Sequence, residues 1–92
     1  MVEREIERRL VKAINHAGGW APKFTSPGTD GMPDRIMLFP GGKVAFAEVK
    51  APGKKPRPLQ LMRHKALMDM GFKVFVIDGV DQIPGIIMEA MS

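Results

Sequence analysis

Two carboxylates and one ammonium draw attention through the places a strand pair would give them: Asp34, Glu48 and Lys50. Residues 34–39 (Asp-Arg-Ile-Met-Leu-Phe) and 43–50 (Lys-Val-Ala-Phe-Ala-Glu-Val-Lys) read as strands, and Pro40-Gly41-Gly42 reads as the turn between them. With all of Pro40-Gly41-Gly42 in the loop, Phe39 pairs with Lys43, Leu38 with Val44, Ile36 with Phe46 and Asp34 with Glu48. Alternation then gathers Asp34, Ile36, Leu38, Val44, Phe46, Glu48 and Lys50 on one face of the sheet. The two acids stand directly opposed, about 5 Å apart at Cβ. A tighter Gly41-Gly42 turn would instead set Asp34 diagonal to Glu48. Like charges opposed in a sheet destabilise it unless something neutralises them. One neutraliser is a hard divalent cation, for which carboxylate oxygens suit Mg²⁺ or Mn²⁺. Lys50 is then able to orient or deprotonate a water beside a phosphate, and the set describes metal-assisted phosphodiester hydrolysis. The other neutraliser is Lys50 itself, in a purely structural salt bridge with both acids. The residue types alone leave both readings open.

The elements that must position these groups follow from periodicity. Val2, Ile6, Leu10, Ala13, Ile14 and Ala17 recur at helical spacing, so residues 2–17 are predicted as an amphipathic helix stopped by Gly18-Gly19. Residues 20–26 form at most a short irregular strand, because Pro22 restricts it to an edge or a bulge. Residues 27–32 are a loop. After the hairpin and a Pro/Gly-rich stretch at 51–57, a second helix runs from Pro58 to about Met70, with Gly71 as its stop. Residues 72–78 (Phe-Lys-Val-Phe-Val-Ile-Asp) read as a buried strand, and 81–91 as a short closing helix. The strand–helix–strand portion should be a crossover that sets the last strand parallel to its predecessor. The expected fold is α/β, a mixed β-sheet flanked by helices.

Composition narrows the function classes. The 92 residues are expected to make one domain, 1–92, with a thin core and no cysteine to staple it. Without cysteine there is no zinc finger, dithiol redox site or thiol nucleophile. No apolar run approaches the roughly 20 residues of a membrane span. Glu3-Arg4-Glu5 follows the start directly, so a cytoplasmic protein is expected. The net charge of +4 is ordinary, but its distribution is not: Lys50, Lys54, Lys55, Arg57 and Arg63 fall close together with no acid among them. Such a loop suits a polyanion such as nucleic acid. A thin core and eight methionines also make a homodimer a natural expectation.

Pro33-Asp34 followed by Glu48-Val49-Lys50 resembles the PD-(D/E)xK nuclease signature, and Gln60 stands where some branches carry a glutamine. The surrounding Gly31-Met32-Pro33-Asp34-Arg35-Ile36, Phe46-Ala47-Glu48-Val49-Lys50-Ala51-Pro52-Gly53 and Pro58-Leu59-Gln60 resemble the VRR-NUC subfamily, from Glu3 to about Asp78. The resemblance implies a restriction-endonuclease-like αβββαβ core and Mg²⁺- or Mn²⁺-dependent DNA cleavage. Carried over position by position, it implies metal binding by Asp34, Glu48 and the Val49 carbonyl, with Lys50 aligning or activating the attacking water. Gln60 would position that lysine, the water or the nearby backbone. The family's glutamate on the first helix matches Glu3 in Glu3-x-x-Ile6, with Glu7 one turn along as the alternative. Minimal members are similar to Holliday-junction resolvases, which implies a homodimer making paired incisions in branched, four-way DNA.

Candidate DNA contacts are Lys23, Lys54, Lys55, Arg57 and Arg63. His64 shares a helix face with Gln60 but reads as a surface histidine, and Trp20 as a core or interface residue. Two competing functions remain: a catalytically silent nucleic-acid-binding module with the same fold, and a general α/β interaction domain. Intact opposed acids argue against the silent module, because they repel phosphate unless a metal intervenes.

Overall fold

A computed structural model describes residues 1–92. In chain order the elements are α1 (Glu3–His16), β1 (Arg35–Phe39), β2 (Lys43–Val49), α2 (Pro58–Asp69), β3 (Lys73–Ile77), a short 3-10 turn (Val80–Gln82) and α3 (Ile83–Met91). The strands form one sheet in the order β1-β2-β3, with β1 antiparallel and β3 parallel to β2. The mixed α/β sheet expected from the sequence is therefore present, including the parallel crossover through α2.

The hairpin register agrees with the longer loop: Phe39 pairs with Lys43, Leu38 with Val44 and Ile36 with Phe46. The turn works because Gly41 (φ 84°) and Gly42 (φ 74°) both occupy the left-handed region that side chains disfavour. The expected fourth strand is reduced to two isolated bridges, Trp20 to Leu38 and Lys23 to Arg35, on the outer edge of β1. Trp20 and Leu38 exchange backbone hydrogen bonds, and the Phe24 amide donates to the Asp34 carbonyl. Pro22 between them accepts from Ile36 but has no N–H to return, so the ladder cannot run continuously. Trp20 lies 63% exposed, so it is not a core residue.

The two faces of the sheet differ in chemistry. Ala45, Ala47 and Val49 of β2, with Met37, Phe39 and Ile77, meet Ile6, Leu10 and Ile14 of α1 and Ile83 and Ala90 of α3 in a wholly apolar core. Ile6, Leu10 and Ile14 are fully buried, and burial of each contributes about 1.5–3 kcal/mol. The opposite face carries Phe46 and Glu48 and is covered by α2 and flanking aromatics. Phe46 makes edge-on contacts with Phe24 (5.5 Å between centroids) and Phe72 (5.7 Å). The buried stripe of α2 is Gln60, His64 and Leu67, two of them polar.

The apolar face anchors the hairpin, so a hole in it should loosen the whole sheet. Leu10→Ala is expected to lower the unfolding free energy by about 2–5 kcal/mol. Urea denaturation would show this as a lower midpoint with an unchanged slope.

Candidate active site

The end of the hairpin brings together five of the residues singled out by type. Asp34 lies one residue before β1 and Glu48 near the end of β2, with Lys50 just beyond it. Glu48 is 1% exposed, and its carboxylate is reached from two directions. The Gln60 side-chain amide donates to Glu48 Oε2 at 2.8 Å, and Lys50 Nζ lies 3.3 Å from the same oxygen. Asp34 is fixed differently: its Oδ2 accepts the backbone N–H of Val49 at 3.0 Å.

Pro33 shapes the same point of the ladder from the opposite strand. Extending the register sets Pro33 opposite Val49, at a position where the two strands would exchange hydrogen bonds. Proline has no N–H, so the ladder offers the Val49 carbonyl no donor there. The Val49 amide donates to the Asp34 carboxylate. The carbonyl points to the same side of β2 and is left as a free oxygen beside the two acids.

Gln60 has two roles at the start of α2. Its Oε1 accepts the Arg57 backbone N–H at 2.8 Å, which closes the first turn after Pro58 at N1. Its Nε2 is thereby aimed at Glu48. Gly31 brings the preceding loop against the same helix: its φ is +86°, and a Cβ there would lie 2.9 Å from the Leu59 side chain.

The electrostatics follow from this crowding. Burial, and then the Asp34 carboxylate, push the Glu48 carboxyl above the ordinary carboxylate range, while the Lys50 ammonium pulls the other way. His64 corrects an expectation. It is 3% exposed, not a surface residue, and its Nε2 lies 3.9 Å from Glu48 Oε1. Burial, then the Lys50 charge, lower its basicity, with Asp34 acting in the opposite sense. Neither Glu48 Oε1 nor His64 Nε2 has a hydrogen-bond partner. The signal for His64 was the four-residue spacing from Gln60, which puts both on the buried stripe of α2.

Asp34 opens into a cleft of about 330 Å³ lined also by Glu3, Glu7, Lys23, Phe24 and Thr25. Glu7 is committed to Arg35, with Nε at 3.2 Å from its Oε2. Glu3 shares the cleft with Asp34 and makes no ion pair. Lys54, Lys55 and Arg57 are exposed on the loop joining β2 to α2, so they flank the site by connectivity. Arg63 is partly tied down, its Nε donating to the Asp30 carbonyl at 2.9 Å.

No three His, Cys, Asp or Glu side chains converge into a metal-binding group. The hard donors at the hairpin end are the carboxylates of Asp34 and Glu48 and the Val49 carbonyl. An all-oxygen set that includes a buried, unpartnered carboxylate oxygen fits Mg²⁺ or Mn²⁺ and does not suit a soft cation.

A mixed sheet whose hairpin end holds opposed acids and a lysine is the framework of a nuclease. No family model matches the chain. It is 48% identical over 79 residues to "Putative nuclease p44" of Acyrthosiphon pisum secondary endosymbiont phage 1, covering 86% of this chain and 85% of that protein. A solved structure described as "VRR_NUC domain" is 29% identical and superposes with a TM-score of 0.87 over 94% of each chain. The chain belongs to the VRR-NUC family of nucleases.

The raised Glu48 carboxyl has a consequence for stability. The folded protein holds this proton more tightly than the unfolded chain, so metal-free stability should fall as pH rises from about 4.5 through the higher folded value. Glu48→Gln should remove that fall and raise stability at neutral pH by about 1 kcal/mol while cleavage is lost. Thermal melts in EDTA from pH 4 to 8 would check both the slope and its disappearance.

Proposed function

We propose that this protein is a divalent-metal-dependent DNA endonuclease whose single domain, 1–92, acts on branched DNA, with four-way junctions preferred, as a homodimer inside a bacterial or phage-infected cell. The observation that carries the reading is the Asp34–Glu48 pair at the hairpin end, with Lys50 and Gln60 on the Glu48 carboxylate. Burying one acid beside another raises the free energy of the fold, which favours a catalytic site over a silent binding module.

In this reading Asp34, Glu48 and the Val49 carbonyl would hold Mg²⁺ or Mn²⁺, with Glu3 facing the same cleft. The cation, when bound, polarises a scissile phosphate oxygen and lowers the cost of the charge that develops there. Gln60 holds one Glu48 oxygen in place. Lys50 extends from that oxygen to align or activate the attacking water. Lys23, Lys54, Lys55, Arg57 and Arg63 supply cations along the approaches to the cleft and meet backbone phosphates, which gives shape and charge recognition without base reading.

The homodimer draws support from β3. It is an edge strand of the sheet, and Phe72, Val76 and Met70 are exposed on and around it. A second copy would cover that edge, and a two-fold pair of sites suits paired incisions across a junction. Sedimentation velocity at micromolar concentration is expected to give twice the chain mass, and Val76→Lys on the exposed face of β3 should return it to monomer.

The central test is cleavage of a four-way junction, a flap and a matched linear duplex. Wild-type protein with Mg²⁺ or Mn²⁺ is expected to incise the junction fastest, and EDTA to abolish incision. Lys50→Ala should cut about 10²–10⁴-fold more slowly while still retarding the DNA in a gel. Retention without cleavage by the wild type under either cation would favour the silent module.

A further inference from the structure

Glu48 is held by an asymmetric set of donors. Oε2 accepts a hydrogen bond from Gln60 Nε2 at 2.8 Å, and the Lys50 ammonium pairs with the same oxygen at 3.3 Å. Oε1 receives nothing, although it is sealed from water. A buried carboxylate oxygen without a partner carries a desolvation cost of about 1–3 kcal/mol or more. The nearest candidate is His64 Nε2, also sealed and also without a partner, at 3.9 Å. The gap is about an ångström longer than an N–H···O hydrogen bond, a distance that a small rotation of either side chain closes.

The placement of His64 is not explained by packing alone. It is 3% exposed on the inward stripe of α2, one turn after Gln60, where Leu67 shows that an aliphatic residue is accommodated. The same helix thus presents one donor to each oxygen of a single carboxylate. Gln60 is fixed from behind by the Arg57 amide, and His64 is fixed by its burial under the helix. A carboxylate gripped at one oxygen still swings about that contact, whereas one gripped at both cannot rotate its plane.

We propose that His64 is a positioning residue for Glu48, its Nε2–H donating to Oε1 so that α2 clamps both oxygens of the carboxylate. The inference rests on the metal-dependent nuclease reading above and deepens it. Each carboxylate oxygen has two acceptor positions, so Oε1 with His64 bound keeps one for a cation. His64 acts through Glu48 and has no contact with substrate. Groups of this kind, one step behind the ligands, typically change metal affinity or activity 10–100-fold when removed.

The test compares His64→Leu, which fills the space without a donor, with His64→Gln, whose amide N–H reaches about where Nε2 stands. Mn²⁺ binding to each protein, without DNA, is read from the electron paramagnetic resonance signal of the free ion. Junction cleavage is split into kcat and KM, and thermal melts are recorded in EDTA. His64→Leu is expected to weaken Mn²⁺ binding about tenfold or more and to lower kcat 10–100-fold, with KM within twofold of wild type and the metal-free melt preserved. His64→Gln should recover both to within about threefold of wild type. If His64→Leu does not fold, His64→Asn, whose amide is too short to reach, takes its place with the same expected loss. The proposal is overturned if the donor-free variant binds Mn²⁺ and turns over like the wild type, or if His64→Gln loses as much as the donor-free variant. Failure of the underlying reading appears separately, as absent Mn²⁺ binding and absent cleavage in the wild type itself.

Discussion

Holding the Glu48 carboxylate out of water beside Asp34 works against folding twice, once through lost hydration and once through like-charge repulsion. Gln60 and Lys50 offset part of this at one oxygen, and nothing in contact offsets it at the other. The remainder must come from elsewhere in a chain of 92 residues, where no disulfide helps. It comes from the far face of the same sheet, where α1 and α3 close a fully apolar core against Ala45, Ala47 and Val49. Because side chains alternate across a strand, residues 45, 47 and 49 are the immediate neighbours of Phe46 and Glu48. The best-packed strand of the fold is thus the one that carries its least comfortable group.

Each positioning device around Glu48 is also a backbone device. Gln60 closes the first turn of α2 with one end of its amide and holds Glu48 with the other, so the helix cannot start one residue later without releasing the site. Pro33 withholds an N–H from the ladder opposite Val49, whose own amide is held by Asp34. The same missing donor leaves the Val49 carbonyl open. Local geometry and chemistry are therefore set by the same residues, which is why these groups occupy fixed spacings along the chain and not merely a shared neighbourhood.

That economy explains what was legible in the sequence. Strand alternation and the Pro40-Gly41-Gly42 turn narrowed the register to two, and the longer loop is the one found, which extends to Asp34 opposite Glu48. Helix α2 was legible at its ends, from Pro58 and Gly71, but its buried face was not. A stripe of Gln60, His64 and Leu67 has no apolar periodicity, and a histidine on such a helix carries the same sequence signature as a solvated one. Only the sheet beneath it distinguishes the two cases. The irregular strand at 20–26 failed to form for the reason Pro22 gave, the absence of one donor in mid-ladder. Glu3 and Glu7 both line the cleft, and what sets them apart is Arg35, whose side chain pairs with Glu7 across the chain. Pairings between residues distant in sequence cannot be read from helix spacing.

The distribution of charge adds a final constraint. The cleft is lined by the acids Asp34, Glu3 and Glu7 together with Lys23, while Lys54, Lys55 and Arg57 are exposed on the loop that follows Glu48 and Lys50 in the chain. A phosphate drawn in by the basic residues meets repulsion from the acids unless a cation has taken up the negative charge. On the metal-dependent reading proposed above, metal occupancy and DNA affinity are two views of one coupling free energy: a cation that strengthens DNA binding by some factor must be bound more tightly by the DNA complex by that same factor. Burial of Glu48 strengthens its coupling to whatever charge sits beside it. On that metal-dependent reading, the stability given up at Glu48 is what would separate a surface that attracts nucleic acid indiscriminately from a cleft that takes a phosphate together with its cation.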